Sequence, residues 1–585
     1  MRGSWLWALV LGSCAGREVP SNPSPTTSLP RPSADEPGPA TPSPEARVPG
    51  TRELCAELGQ VLRGTDADRR WQEQKRIFAA IRQLADPRGA DELARLVAEE
   101  ASAPADAEKV FRRTQAAFAL AELGDSRALP ALAARLEHDP LVLYHEDDPN
   151  QLELRRSDQE RILAARLIGE LALLHPDELE AMRTIATAPL RRWLSESPMP
   201  HANGLRALAR LKLEDEAFRR ELRAWADPPG ALPKLGALPP FEDKWVIATS
   251  ALRYLGALRD PKAFTLLQKQ LTRKPKTFDA SMDALMAGGR AMLGMSVRAL
   301  SMGAADGFAE LGDARAAPHL LKHVEDSRQN ESSRTEACRA LAQVLDATAE
   351  REIVTRLDKW RSGKQSFEVG CLLETLARHP IPAATPRLLE LAERAPQELA
   401  LAAAIALGHS ALDSSTEDVL VKRLSEASTR SGAALALLLG GSSEGVARAL
   451  AAYPENEARA LETLASDYDK GVGSLGSVPL PTLFRWVRNA RSAARGSPWD
   501  FARKSLEKAL ANLTYDSGPG STTVVVLRRR LFELARLGTA DERASAIDTL
   551  ELARERGVLL SLAEGTGPSA ERAAQVARGL APSEP

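Results

Sequence analysis

A short turn motif recurs along this chain, each time between two apolar segments with helical spacing. Its two strongest copies read Leu-Gly-Asp-Ser-Arg-Ala-Leu-Pro at 123–130 and Leu-Gly-Asp-Ala-Arg-Ala-Ala-Pro at 311–318. Weaker copies begin at Leu84 and Leu258, and a variant begins at Leu537. Self-similarity of this kind is typical of a repeat array, in which each small unit packs only against its neighbours.

The residues of the motif have the chemistry that a tight turn between two helices needs. Gly124 can adopt the left-handed conformation that ends a helix, and Asp125 can cap the turn that follows. Pro130 is tolerated only near the first turn of the next helix. The second copy offers the same residue types: Gly312, Asp313, Arg315 and Pro318. The repeating unit is therefore predicted to be a helix, a turn and a helix, which must stack on other units to bury both faces.

The pattern resembles the HEAT family, in the short form also found in phycobilin-lyase-type proteins, over about residues 52–465. The resemblance implies an all-α solenoid of stacked helical hairpins that presents a long concave surface to protein partners. It also implies that Arg127 and Arg315 contribute to a ladder of hydrogen bonds between repeats. Other Ala/Leu-rich helices are predicted at 161–174, 202–211, 334–345, 369–377, 399–407 and 432–439.

The composition agrees with closely packed helices and argues against a nucleic-acid partner. Only 4% of the residues are aromatic although 44% are hydrophobic, so the core must be built from small and aliphatic side chains. Strands of a sandwich or barrel favour β-branched and aromatic residues instead. The formal net charge of −2 gives the whole chain no electrostatic attraction to nucleic acid or anionic lipid.

The first 16 residues indicate an export signal. An apolar stretch follows Arg2 and ends in Leu11-Gly12-Ser13-Cys14, a segment too short to cross a membrane as a helix. It resembles the bacterial lipobox, which implies cleavage before Cys14 and lipid attachment to its thiol. An ordinary signal peptide cut elsewhere, or a buried N-terminal helix, is the alternative.

A proline-rich segment follows the lipobox-like motif. Residues 17–50 contain ten prolines, which lock the backbone and remove hydrogen-bond donors, so a disordered tether is predicted. A leader without an anchoring role is the alternative. Ala15 after the cysteine favours the outer membrane by resemblance to enteric sorting rules. We therefore expect a lipid-anchored protein of the bacterial envelope, with its soluble part in the periplasm or at the surface.

The rest of the chain divides into three predicted segments. The repeat array is expected over 51–466, a Gly/Pro linker over 467–481, and a C-terminal helical segment that caps the array over 482–580. Gly471 to Gly476 match the GxGxxG pattern of dinucleotide-binding proteins. Because a helix precedes this pattern and prolines follow it, the linker interpretation is preferred.

A search for chemistry finds no catalytic residue and no cofactor site. No Walker A sequence, GxSxG or HExxH occurs. Oxygen and imidazole ligands could hold a divalent cation at 145–148, but an acidic solvated loop is the preferred interpretation. The weak metal candidates there are His145, Glu146, Asp147 and Asp148.

Sulfur-containing residues leave two questions open. Five methionines lie at 282–302, where core packing is preferred over an adaptable binding surface or a soft-metal site. Cys338 and Cys371 lie 33 residues apart, and two buried thiols in neighbouring repeats are preferred over a disulfide, which an oxidising periplasm would permit. Cys55 has no predicted partner.

A tether joined to an array without catalytic residues predicts a non-enzymatic scaffold for protein–protein interaction. One alternative is an enzyme or cofactor-handling protein related to phycobilin-lyase-type repeats, which could use Glu122 or Glu310, although both are expected to be solvated. A second alternative is a purely structural envelope spacer. A large exposed apolar patch would favour a partner site over a spacer. A small-molecule ligand is not expected.

Overall fold

The structure is a computed structural model of the chain. It describes residues 50–580, apart from 64, 103–106, 138–151, 197–201, 214, 228–241, 274–289, 361–365, 454–457, 474, 476–477, 494 and 516–522. The chain divides into two units, Met1–Val48 and Pro49–Pro585, and every described residue belongs to the second. All regular secondary structure in this described part is helical.

The first half of the described chain forms α1 to α14. Their bounds are α1 Thr51–Val61, α2 Ala67–Leu84, α3 Ala90–Ser102, α4 Ala107–Glu122, α5 Leu129–Glu137, α6 Leu152–Leu174, α7 Leu179–Glu196, α8 Ala202–Arg210, α9 Glu216–Ala226, α10 Glu242–Ala257, α11 Ala263–Leu271, α12 Arg290–Leu311, α13 Ala317–Glu325 and α14 Glu331–Leu341.

The second half forms α15 to α28. Their bounds are α15 Ala347–Lys359, α16 Ser366–Arg378, α17 Thr385–Arg394, α18 Gln397–His409, α19 Ser414–Arg423, α20 Arg430–Gly440, α21 Ser443–Ala451, α22 Ala458–Val472, α23 Leu480–Arg491, α24 Phe501–Ala511, α25 Val524–Leu537, α26 Ala540–Leu552, α27 Arg556–Ala563 and α28 Pro568–Gly579.

The helices from α1 to α20 form two layers. Each even-numbered helix packs against the next even-numbered helix, from α2 to α20, and we call these ten helices the even layer. Odd-numbered helices pack against the even-numbered helices beside them in the chain. One continuous apolar core runs between the layers. The predicted all-α solenoid of stacked hairpins is therefore confirmed, because successive units bury their apolar faces against one another.

The turn motif has the geometry that its residue types predict. Gly124 and Gly312 have φ values of 78° and 65°, in the left-handed region that favours glycine. The carboxylates of Asp125 and Asp313 each accept a hydrogen bond of 3.0 Å from the backbone N–H two residues later. A single 3₁₀ turn follows each aspartate. The chain thereby reverses within a few residues and starts the next helix.

The last helices of the chain pack against the first repeats. α23 packs on α20 and also on α26, while α25 packs on α6. The Arg528 guanidinium of α25 donates to the carbonyl oxygen of Glu122 at 3.0 Å, and Arg88 pairs with Glu564 at 3.3 Å. Gly557 lies so close to the turn after α2 that an added Cβ would be 2.2 Å from the Leu84 carbonyl oxygen. We call this set of contacts the closing interface.

The segment predicted as a linker is shorter in the structure. α22 extends to Val472, so the first six residues of 467–481 are helical. The helix forms because Tyr468 and Val472 fall one turn apart on its buried face, and this apolar spacing outweighs the glycine at 471. α23 then begins at Leu480, before the predicted start of the C-terminal segment.

A disulfide joins two neighbouring helices of the even layer. Cys338 of α14 and Cys371 of α16 are bonded, with their Cα atoms 5.5 Å apart. The preferred sequence interpretation, two separate thiols, is therefore wrong, because stacking places the two residues side by side. Thr375 adds a hydrogen bond of 3.1 Å from its hydroxyl to the Cys338 carbonyl oxygen. Cys55 remains a free thiol, and burial raises its pKa to about 11.

Candidate functional site

The turn arginines contact the preceding repeat in two different ways. Arg127 holds the Asp125 carboxylate of its own turn and also pairs with Asp91 at the start of α3, at 2.9 Å. Arg315 holds Asp313 in the same manner, and its guanidinium lies 4.8 Å from the ring centre of Phe264 in α11.

The prolines of the motif lie where their missing N–H costs nothing. Pro130 is the second residue of α5, and Pro318 is the second residue of α13. The first four N–H groups of a helix have no partner within it, so proline removes no hydrogen bond there. All of these motif residues serve the turn itself, and they form no reactive site.

Ionisable side chains form a row along the even layer. We call it the charged row, and every even-numbered helix from α2 to α16 contributes at least one member. Its members are Arg82, Glu122, Arg166, Glu170, Arg206, Arg210, Arg253, Asp306, Glu310, Glu336, Arg339, Glu374 and Arg378. Except for Glu170, each member keeps between about a tenth and a third of its surface exposed, so the row is accessible from solvent.

Ion pairs between successive helices link much of the charged row. Arg82 pairs with Glu122 at 2.6 Å, and Arg253 pairs with Glu310 at 3.3 Å. Arg339 pairs with Glu374 at 3.1 Å. Half-buried pairs are screened less by salt than fully exposed ones, so these contacts fix the side chains in place along the row.

The predicted acids Glu122 and Glu310 therefore do not stand alone. Each is half-buried and is held by an arginine of the neighbouring helix, where simple solvation was expected. Both glutamates therefore take part in ion pairs between successive helices of the even layer.

Two carboxyl groups meet in the middle of the charged row. Burial raises the pKa of Asp306 well above its usual range, and the negative charge of the nearby Glu336 raises it further. Glu336 also accepts a hydrogen bond from Arg339 at 3.2 Å. Burial and a neighbouring like charge both disfavour the ionised form of Asp306.

Three arginines surround one buried glutamate between α6 and α8. Glu170 is only 1% exposed, and Arg166 lies one turn before it, with Nε 3.6 Å from Oε1. Arg206 and Arg210 of α8 also act on this carboxylate electrostatically. We call these four residues the arginine cluster. Burial, followed by repulsion from Arg206, lowers the pKa of Arg210 to about 10.

Large apolar side chains contribute little to the described surface. Only three of them are strongly exposed in the described ranges, namely Leu173, Ile185 and Leu537. They lie on three different helices, and the most exposed, Leu537, ends α25. The surface of the even layer is therefore dominated by charge rather than by apolar area.

Several predicted sites lie outside the described residues. These are Cys14 with its lipobox, the tether over 17–50, the weak metal candidates at 145–148, and four of the five methionine side chains. Met302 is described and is half-buried. Within the described ranges, no group of three or more His, Cys, Asp or Glu side chains could hold a metal ion. No helix there has both the length and the apolar character for a membrane crossing.

The sequence predictions missed the charged row, although a signal for it exists. Glu122 and Glu310 both lie three residues before the aspartate of their turn motif, and Arg82 lies four residues before Asp86. An alignment of the repeats on that aspartate places charged residues three or four positions before it, in helices that are otherwise mainly apolar. A charge on an apolar helix must reach solvent or an opposite charge.

The fold and the turn geometry define an all-α array of helical hairpins, and one comparison names the repeat. Residues 113–138, which run from within α4 through the turn and α5, match the family described as PBS lyase HEAT-like repeat. The resemblance drawn from the turn motif is therefore confirmed for this unit: the chain contains a HEAT-like repeat of that type. No curated protein matches the chain.

Solved structures of helical repeat proteins resemble the chain weakly. The Kap95p structure with RanGDP is 12% identical with a TM-score of 0.31, covering 91% of this chain and 66% of that one. The structure of Importin13 in its cytosolic state is 11% identical with a TM-score of 0.24, and the match covers 90% of this chain and 67% of that one. A structure from work on the interaction between cadherin and beta-catenin is 14% identical with a TM-score of 0.22, and the match covers 90% of this chain and 98% of that one. The chain thus spans about two thirds of the first two, and TM-scores this low carry no argument about function.

Proposed function

We propose that this protein is a non-enzymatic scaffold that binds a protein partner along the charged row. The observation that carries the proposal is the row itself, in which eight successive repeats present fixed charges on one layer. Fixed charges of both signs favour a partner with the complementary pattern and speed its association. Ion pairs between successive even-numbered helices hold these charges in position at three places along the row.

The proposed partner surface is polar rather than apolar. Because only three large apolar side chains are strongly exposed in the described ranges, electrostatic complementarity would supply most of the specificity. Binding should then weaken as ionic strength rises, since salt screens charges on accessible surfaces. A partner bound through apolar anchors would depend much less on salt.

We further propose that the scaffold is lipid-anchored in the bacterial envelope through Cys14, on the outer membrane rather than the inner one. The lipobox-like motif and the proline-rich segment behind it motivate this part. The Cys338–Cys371 disulfide supports it independently, because structural disulfides persist in oxidising compartments such as the periplasm. The tether would let the array reach partners at a distance from the membrane.

Site-specific crosslinking tests the scaffold function. A photo-crosslinking amino acid at Glu310, in the charged row, should capture a defined partner in the native envelope. The matched control is the same amino acid at Glu99, an exposed ion-pair glutamate of the odd-numbered helix α3. We expect an adduct from position 310 that disappears in high salt, and none from position 99. Equal capture from both positions, or none from 310 in several growth conditions, would refute the proposal.

Membrane fractionation tests the anchor separately. Cys14→Ala should move the protein from the membrane fraction to the soluble fraction, whereas Cys55→Ala should leave it with the membranes. If the Cys14→Ala protein still sediments with membranes, the anchor is wrong while the scaffold proposal is untouched.

A further inference from the structure

The first end of the charged row lies against the C-terminal helices, which we take as α22 to α28. α25 packs on α6, and two members of the row, Glu122 and Glu170, act electrostatically on the Arg528 guanidinium of α25. Arg528 is half-buried there and is also held by Glu555, with Nε 2.9 Å from Oε2. α25 therefore approaches the even layer from the side that carries the row.

Beyond the last member of the row, the chain's own helices cover the corresponding positions. α16 and α18 are both 13 residues long, and their ninth and thirteenth residues are Glu374 and Arg378 in α16 but Ile405 and His409 in α18. Gly471 of α22 lies on this pair in α18: an added Cβ would be 3.8 Å from Ile405 Cγ1, and the carbonyl oxygen is 2.8 Å from His409 Nε2. Where α22 covers these positions, they therefore lack the permanent charges that α16 carries.

The middle of the charged row, from α8 to α16, lies open between these two covered ends. In the described ranges, extensive packing of the C-terminal helices on the even layer occurs at α6 and α20, and Gly471 reaches α18. The row members of α8 to α16 all keep part of their surface accessible to solvent. We call this stretch the open row. Its charges have both signs, as in the pairs between Arg253 and Glu310 and between Arg339 and Glu374, which does not suit a polyanion.

Packing contacts around the open row form a closed circuit of eleven helices. The circuit runs along the even layer from α6 to α20, continues through α23, α26 and α25, and returns to α6. Axes of packed helices lie about 8–10 Å apart, and a helix is about 10 Å thick. A circuit of this length therefore encloses an opening that is at most about 20 Å wide.

An opening of this width selects a partner by its shape. An α-helix with its side chains measures about 10–12 Å across, and an extended strand is thinner, so either of them fits. A folded domain of about 100 residues measures roughly 30 Å or more across, so it does not fit while the circuit is closed. The fixed charges of the open row favour a segment that also carries both signs of charge.

We propose that the C-terminal helices form a clasp that encloses a linear polypeptide segment, with charges of both signs, against the open row. The clasp opens at the closing interface, because α25 and α6 are far apart in the chain and are held together there only by packing and side-chain bonds. An opened clasp admits a segment from the side, so the partner needs no free end. The identity of the occupant as a protein rests on the proposed scaffold function, whereas the enclosure can be tested without it.

Labelling of a single thiol in the open row tests the enclosure with the full-length chain. Glu310→Cys is compared with Glu99→Cys, an exposed position of α3, in a background that carries Cys14→Ala and Cys55→Ser. The probes are N-ethylmaleimide, a maleimide on a helical peptide, and a maleimide on a folded domain of about 100 residues. Relative to N-ethylmaleimide, the domain should label position 310 slower than position 99 by a factor on the order of ten or more, because it must wait for the clasp to open. The helical peptide should label both positions.

Changes at the closing interface should shift this size selectivity. Gly557→Ala places a methyl group against the turn after α2, so the domain should then label position 310 faster, whereas Gly59→Ala in α1 has open space around it and should change nothing. Glu564→Gln removes the ion pair with Arg88 across the same interface without adding volume and should act in the same direction more weakly. Circular dichroism of each variant separates an opened clasp from a lost fold.

The possible outcomes separate the clasp from the scaffold function. Equal size selectivity at positions 310 and 99 would overturn the clasp, and so would a selectivity at position 310 that neither Gly557→Ala nor Glu564→Gln changes in a folded protein. A size-selective open row from which photo-crosslinking captures no partner would support the clasp and count against the scaffold. Capture at position 310 of a residue inside a folded domain would overturn the clasp and leave the scaffold standing.

Discussion

Breaking the Cys338–Cys371 disulfide should loosen a defined pair of repeats. The bond closes a loop with a sequence separation of 33 residues. In the chain-entropy description of crosslinks, a loop of that length stabilises the folded state by about 4 kcal/mol, mainly by restricting the unfolded chain. Cys338→Ser with Cys371→Ser should therefore cost this amount in the repeats that contain α14 and α16.

Hydrogen exchange over 331–378 is the appropriate assay, because a repeat array unfolds locally and a single melting temperature averages over many units. Backbone protection in α14 and α16 should fall by a factor on the order of 100 or more, which corresponds to about 3–4 kcal/mol. Protection in α25 to α28 should not change. Treatment of the native protein with a thiol reductant should reproduce the effect.

Two results would refute the prediction about the disulfide. Recovery of Cys338 and Cys371 as free thiols from oxidised, denatured protein would show that no bond forms. Unchanged exchange in the double serine variant would show that the bond adds nothing. Cys55→Ser is the control, since this thiol has no partner and burial raises its pKa to about 11, which keeps it unreactive in the folded protein.

Three further predictions concern packing and pH. Gly557→Ala should open the closing interface, because the new methyl would be 2.2 Å from the Leu84 carbonyl oxygen, and faster hydrogen exchange at 84–89 would report this. Asp306→Asn should stabilise the protein at pH 8 but not at low pH in chemical denaturation. Because the pKa of Asp306 is raised in the folded protein, the protonated side chain does not lower the stability of the fold at low pH. Its ionisation does lower that stability as the pH rises through the pKa of the folded protein. Burial lowers the pKa of His409 from 6.5 to about 4, so exchange protection of α18 should fall between pH 6.5 and 4 by roughly 3 kcal/mol.

Each of these predictions has its own control. Gly59→Ala in α1 adds a methyl with nothing within 4 Å and should leave exchange at 84–89 unchanged. A stability gain of Asp306→Asn that is equal at all pH values would contradict the assignment of the pH dependence to Asp306. For His409, a His409→Gln protein that loses α18 protection over the same pH range would assign the loss to other groups.

Local chemistry explains why the sequence predicts the turns so well. The positive φ of Gly124 and the hydrogen bond that the Asp125 carboxylate accepts from the Arg127 backbone N–H depend on residues within one turn. The predicted helices at 369–377 and 432–439 fall inside α16 and α20, since apolar spacing is also a local signal. The sequence therefore predicts the repeating unit and the fact that the units stack on one another.

The individual side-chain contacts between stacked repeats cannot be predicted from such local signals. The pairing of Arg253 with Glu310 depends on which helices become neighbours after stacking. The sequence favours two separate thiols at Cys338 and Cys371, because their spacing in the chain does not reveal that their Cα atoms lie 5.5 Å apart. The arginine cluster requires both the register of α6 on α8 and the close approach at Gly169. Such contacts depend on how the stacked helices are positioned against one another, which is determined by many residues along the chain.

The closing interface has a consequence for how this protein is made. In an open repeat array, each unit can fold as soon as it leaves the ribosome, because it needs only the unit before it. Here Arg528 must find Glu122, 406 residues earlier in the chain. The first repeats therefore keep an uncovered surface until α25 has been synthesised. A chain that lacks α25 would leave that surface open to contacts with other chains.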